Sequence, residues 1–109
     1  MARTSVTLVE EDDGKSLDLR VGESIGLRLH ENASTGYRWA FEARDEAAVD
    51  VLEEGYAGRP SAVGSGGFVQ WTLHARAPGT THIKLKLWRV WQGDSSVRKR
   101  FELTLNIRP

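Results

Sequence analysis

Val69-Gln70-Trp71-Thr72-Leu73-His74-Ala75 alternates apolar and polar residues without a break. Successive side chains of an extended chain point to opposite faces, so this stretch reads as a strand whose buried face carries Val69, Trp71, Leu73 and Ala75. The same period recurs on either side of it. Ile25, Leu27 and Leu29 alternate with Ser24, Gly26, Arg28 and His30; Ile83, Leu85 and Leu87 alternate with His82, Lys84 and Lys86; Phe101, Leu103, Leu105 and Ile107 alternate with Glu102, Thr104 and Asn106. Shorter candidates are Val6 to Glu10, Leu17 to Arg20, Tyr37 to Phe41 and Val49 to Leu52. Asp13-Gly14, Pro78-Gly79 and Gly93-Asp94 supply turn chemistry between them. About seven or eight strands at this spacing predict an all-β sandwich or barrel.

Ala43 to Glu54 is the one stretch with helical composition, rich in Ala and Glu. Val49 and Val51 keep the period of two, so a short turn around Asp45 to Ala48 followed by a strand is expected. No internal repeat or linker interrupts the 109 residues, and one domain spanning 1–109 is expected. A chain of this length buries roughly 65% of its unfolded surface, enough for one core without metal or disulfide.

The chain has 15 basic and 15 acidic residues, so net charge argues for neither nucleic acid nor a membrane surface as partner. The balance hides a polarity: beyond Gly58 only Asp94 and Glu102 oppose nine Lys and Arg. Such runs read either as solvated faces or as steering toward a charged cleft. Met1 to Leu8 has no apolar run of signal or membrane-span length. A cytoplasmic chain, or a trimmed secreted or periplasmic one, is expected, and a monomer.

Enzyme chemistry finds little footing. There is no cysteine, hence no thiol nucleophile and no Cys-based zinc site. His30, His74 and His82 fall on the polar parity of their strands, and no third ligand is nominated, so neither metal nor cofactor is expected. Gly64-Ser65-Gly66-Gly67 is not a nucleophile elbow, because Val63 stands two residues before the serine where glycine is required. Nor is it a phosphate cradle, since a strand follows it and no Lys-Ser or Lys-Thr does.

Three segments between strands remain. Asn32-Ala33-Ser34-Thr35-Gly36-Tyr37 is a turn with Tyr37 and Trp39 as anchors, or a contact loop. Its Asn32-Ala33-Ser34 also fits a glycosylation sequon, a pattern too common to carry weight alone. Arg59 to Phe68 holds Gly64, Gly66 and Gly67, which make a hairpin loop or leave main chain open to close approach by another protein. In Leu87 to Asp94, continued alternation would place Trp88 and Trp91 on opposite faces, so at least one is exposed. Trp and Arg are the types most enriched at binding hot spots. In the strand order of an immunoglobulin-like sandwich these are the B–C, D–E and F–G connections.

Taken together, the three segments resemble the chagasin-like inhibitors of papain-type cysteine peptidases. That family carries Asn-Pro-Thr-Thr-Gly-Tyr/Phe, Gly-x-Gly-Gly and Arg-Pro-Trp/Phe in the same order. Here they stand as Asn32-Ala33-Ser34-Thr35-Gly36-Tyr37, Gly64-Ser65-Gly66-Gly67 and Arg89-Val90-Trp91. The resemblance implies an immunoglobulin-like sandwich of mostly antiparallel strands and a reversible, noncovalent inhibitor without catalytic residues. It places Thr35 and Gly36 over the catalytic cysteine, Gly66 and Gly67 in main-chain pairing, and Trp91, oriented by Arg89, on an aromatic wall. Ala33 and Val90 replace family prolines and Ser34 a threonine; each lost proline leaves about 0.5 to 1 kcal/mol more entropy to surrender on binding. The alternative is an immunoglobulin-like module that binds carbohydrate or an unrelated protein through Trp88 and Trp91.

Overall fold

The computed structural model describes residues 4–32, 35–56 and 67–109. Eight strands form two four-stranded sheets: β1 (Thr4–Leu8), β3 (Ser24–Glu31), β6 (Gly67–Ala75) and β5 (Val49–Tyr56) in one, in the order β1-β3-β6-β5. The other holds β2 (Ser16–Arg20), β8 (Lys99–Arg108), β7 (Gly79–Trp88) and β4 (Arg38–Ala43), in the order β2-β8-β7-β4. Pairing is antiparallel except at β1 with β3 and β2 with β8, which are parallel.

The alternation decides which face meets which. Leu27, Leu29, Trp71 and Leu73 of one sheet, with Ile83, Leu85, Phe101 and Leu105 of the other, are buried in a single core. Burial of this apolar face, at roughly 25 cal/mol per Å², is what holds the sheets together. Ala43 to Glu54 behaves as expected, a turn at 46–48 followed by β5, because pairing with β6 overrides helical propensity. Two polar-parity positions depart from simple exposure. Ser24 is buried and its hydroxyl lies 2.9 Å from Nδ1 of half-buried His74. Gly26 is buried under Thr7, whose Oγ1 would stand 3.0 Å from a Cβ there. His30 and His82 are exposed, as their parity predicts.

The N-terminal strand region was expected from Val6 to Glu10 but leaves the sheet at Val9. A single 3-10 turn at Glu10–Asp12 carries the chain across to the second sheet. β1 stops pairing with β3 at Leu27, and β2 begins pairing with β8 only at Thr104. In the interval, two carboxylates of the crossover and the Gly14 N–H, which donates to the Glu102 carbonyl at 2.8 Å, stand in for the missing strand. Glu10 Oε1 accepts the His30 N–H (2.8 Å) and Asp13 Oδ1 accepts the Glu102 N–H (2.8 Å). Asp12 fixes the turn itself, accepting the Val9 N–H at 2.8 Å and Lys15 Nζ at 2.7 Å.

The hydrogen bond from Lys15, then that from the Val9 N–H, lowers the Asp12 carboxyl below its usual 3.8. A carboxyl depressed in the folded state adds stability above the unfolded value, and that contribution disappears as pH falls through the folded one. Asp12→Asn should therefore be less stable than the parent at neutral pH, and the two denaturation midpoints should converge below pH 3.8. Parallel urea titrations across the acid range check this.

Candidate functional site

Strand register brings the three candidate segments to one end of the sandwich. Glu31, at the end of β3, pairs with Gly67 at the start of β6, and Arg38, at the start of β4, pairs with Trp88 at the end of β7. The β3–β4 and β7–β8 connections therefore emerge side by side. The β5–β6 connection also leaves and returns at this end, since Tyr56 pairs with Val69. Gly64, Ser65 and Gly66 lie outside the described residues, as do Ala33 and Ser34. Gly67 opens β6 and is buried.

The first loop is built on one hydroxyl. Thr35 Oγ1 donates to the Asn32 carbonyl (2.8 Å) and accepts the Tyr37 N–H (3.2 Å), while the Thr35 N–H reaches the same Asn32 carbonyl at 3.1 Å. Gly36 follows at φ +79°, in the left-handed region that glycine enters without steric cost. At the root of the loop, buried Trp39 sends Nε1–H to the His30 carbonyl and its backbone N–H to Glu31 Oε1, both at 2.9 Å. Glu31 is 2% exposed, and its second oxygen has no hydrogen-bond partner among the described residues.

The third loop does not continue the strand. Regular pairing ends at Trp88, and two single 3-10 turns, Val90–Gln92 and Asp94–Ser96, meet at Gly93 with φ +73°. The parity expected through Trp91 therefore lapses at Arg89. Ser96 ties the double turn together: its hydroxyl accepts the Arg89 N–H at 3.0 Å and donates to the Gly93 carbonyl at 2.6 Å. Trp88 is half-buried, with Lys86 Nζ 3.7 Å from its ring centroid and 2.8 Å from Asp94. That hydrogen bond lowers the Asp94 carboxyl below its usual range. Trp88 and Trp91 thus do not form a paired platform of open rings. Trp91 alone projects, 67% exposed, beside equally exposed Val90.

The two loops are joined through Arg89, Gly36 and Trp91. Nε and an Nη of Arg89 both donate to the Thr35 carbonyl, at 3.1 and 3.0 Å. The planar guanidinium meets a single acceptor with two N–H groups and also lies 4.4 Å from the Tyr37 ring centroid. Trp91 rests against Gly36 so closely that a Cβ there would stand 2.6 Å from the ring's Cη2. Thr35, Gly36, Tyr37, Arg89 and Trp91 therefore form one connected protrusion.

Chemistry of bond making is not evident in this cluster. Among the described residues no group of three His, Asp or Glu side chains could hold a metal ion. Ser24, His74 and Asp50 do stand in register across three strands, but at the opposite end of the sandwich. Ser24 is 2% exposed, and Asp50 is held by Arg76 at 3.2 Å.

The family described as Chagasin family peptidase inhibitor I42 matches residues 18–105. The chain belongs to the chagasin family of peptidase inhibitors. Chagasin from Trypanosoma cruzi is 29% identical over 98 residues, 85% of this chain and 89% of that protein. In fold, the chain is similar to a cysteine protease inhibitor from Entamoeba histolytica, with a TM-score of 0.80 and 23% identity, covering 97% of this chain and 100% of that one. It is also similar to the inhibitor chain in a structure of PbICP-C in complex with falcipain-2, with a TM-score of 0.69 and 16% identity over 97% and 92% of the two chains.

Three residues at this end of the chagasin-family chain belong to none of its loop patterns. Ser96 sets the double turn, Glu31 the root of the first loop, and Arg98 places its guanidinium 4.7 Å from the Tyr37 ring centroid. The Asp94-Ser95-Ser96 run, rich in turn formers, is a sequence signal for the first; the other two have none.

Gly36→Ala would force a side chain into the left-handed region, a cost of about 1 to 2 kcal/mol, and drive it into Trp91. The expected result is a displaced Trp91 indole N–H resonance with that of Trp71 unmoved, read from amide spectra of the two proteins.

Proposed function

We propose that this chain is a reversible, noncovalent inhibitor of papain-type cysteine peptidases, acting as a single domain over residues 1–109 and occluding the active-site cleft with one end of its sandwich. Family membership supports the class of target. The observation that carries the mechanism is the protrusion itself: an exposed Trp91 seated on Gly36, with Arg89 forked onto the Thr35 carbonyl, joins two loops into one rigid edge. A preformed surface loses little conformational freedom on binding, and more of its contact energy appears as affinity.

In this reading Thr35 and Gly36 enter nearest the catalytic cysteine of the enzyme. Asn32, Ala33, Ser34 and Tyr37 complete that loop. Gly64, Ser65, Gly66 and Gly67 offer main chain on one flank, and Arg89, Val90 and Trp91 brace the other, with Trp91 as the aromatic anchor. With no cysteine in the inhibitor, no mixed disulfide forms. Inhibition without cleavage follows if no peptide bond of the protrusion reaches the in-line approach that the attacking thiolate needs. Catalysis has no place in the mechanism: the Ser24–His74 contact lies at the far end of the molecule, with Ser24 itself buried.

Papain and a cathepsin L-type enzyme should be inhibited reversibly, and binding should persist after the enzyme's cysteine is alkylated with a small group. Loss of binding on alkylation would remove the noncovalent mechanism. Failure to inhibit a panel of such enzymes at micromolar concentration would remove the function.

Trp91→Ala should raise the inhibition constant about thirtyfold, equivalent to roughly 2 kcal/mol, mainly through faster dissociation. Its folding stability should change by less than about 1 kcal/mol, because the ring is already in solvent. Trp71→Ala, in the core, should cost about 3 to 5 kcal/mol of stability. Urea denaturation and inhibition kinetics on the same samples separate the two cases.

A further inference from the structure

We infer that Arg98, which lies outside all three loop patterns, is a positioning residue of the peptidase-binding end and acts on the first loop through the ring of Tyr37. The inference rests on the inhibitor reading above for its functional consequence, and on geometry for the rest.

Arg98 is mounted on the sheet. Its backbone N–H donates to the Leu87 carbonyl at 2.9 Å, so its Cα is pinned to the end of β7 just before β8 begins. The two basic residues that follow it are both occupied by carboxylates, Lys99 by Glu10 and Arg100 by Glu42. Arg98 has no ion pair among the described residues, and its guanidinium lies over Tyr37 instead, 4.7 Å from the ring centroid. A guanidinium at this distance is attracted by the ring face and can stack on it.

Tyr37 needs such a hold because the core does not supply one. Its ring is half-buried and lines an open recess of about 270 Å³ together with Asn32, Thr35, Leu87 and Arg98. Without a cover, the ring has room to swing into that space. A moving ring would carry the first loop with it, since the Tyr37 N–H is bonded to Thr35 Oγ1 and Gly36 lies between the two. Arg89 also lies over the ring, but it sits on the third loop, which itself faces the partner. Arg98 is the hold that comes from the rigid sheet.

The test is a double-mutant cycle against papain with Arg98→Ala, Tyr37→Leu and the combination, supported by amide hydrogen exchange on the free proteins. Arg98→Ala should raise the inhibition constant about three- to tenfold, leave the urea midpoint unmoved, and speed exchange at Gly36 and Tyr37. In the Tyr37→Leu background the same change should add less than twofold, because the ring through which Arg98 acts is gone. Fully additive losses would overturn the inference and make Arg98 a direct contact; an association rate that falls steeply with salt in the parent but not in Arg98→Ala would identify it as a steering charge. Unchanged exchange, or an unchanged inhibition constant in a protein that does inhibit papain, would overturn it as well. Faster exchange in a chain that inhibits no papain-type enzyme would keep Arg98's hold on the loop and overturn its role in binding, together with the inhibitor reading.

Discussion

Trp39 hydrogen-bonds the two sheets to each other at the root of the first loop. The residue belongs to β4, yet both of its N–H donors are spent on β3, one on the His30 carbonyl and one on the Glu31 carboxylate. Sheets in a sandwich are otherwise held mainly by apolar contact, which is strong but tolerant of small slides. Two directional bonds at one end remove that tolerance where it matters. The positions of Thr35, Gly36 and Tyr37 relative to β7, and so to Arg89 and Trp91, are set by them. Glu31 contributes an awkward element, a carboxylate 2% exposed with one oxygen unpartnered among the described residues. Its acceptance of the Trp39 N–H places it between the strands it joins.

Rigidity at this end comes from side chains. Where family members have proline, this chain has Ala33 and Val90, and so lacks two backbone constraints. The forked Arg89 bond, the Ser96 hydroxyl within its double turn and the packing of Trp91 on Gly36 are tertiary replacements for local stiffness. They differ from proline in an important respect. Proline reduces the freedom of the unfolded chain as well, whereas these contacts exist only after folding. Thr35, Gly36 and the double turn after Trp88 therefore owe their arrangement to the fold and share its conditions of stability.

The sandwich was legible because period two is a local signal. Each of the four long strands could be read from its own six or seven alternating residues, and Trp39 and Trp71 fell on the buried parity. Ala43 to Glu54 was legible only because its valines kept the period against an Ala- and Glu-rich background. What could not be read was pairing between distant segments. Nothing in Thr4–Leu8 or Ser16–Arg20 announces that one joins β3 and the other β8, both in parallel. The loop patterns were visible as residue types in order, but their mutual contacts were not. Alternation carried past Trp88 gave a parity for Trp91 that the 3-10 turn at Val90–Gln92 makes meaningless. Arg98 looks like any surface arginine until Tyr37 is placed beneath it.

The crossover between β1 and β2 has a bearing on how this protein behaves in company. A strand edge with open N–H groups is a template on which another chain can build, and a chain of zero net charge lacks long-range repulsion to prevent it. At the two stretches where neither β1 nor β2 provides a neighbour, the carboxylates of Glu10 and Asp13 occupy the donors of His30 and Glu102. The carbonyls of the same two residues are also taken within the chain, that of His30 by Trp39 Nε1–H at 2.9 Å and that of Glu102 by the Gly14 N–H at 2.8 Å. The acidic turn thereby caps the sheets at these two positions, where another chain would find neither an open N–H nor an open carbonyl to build on.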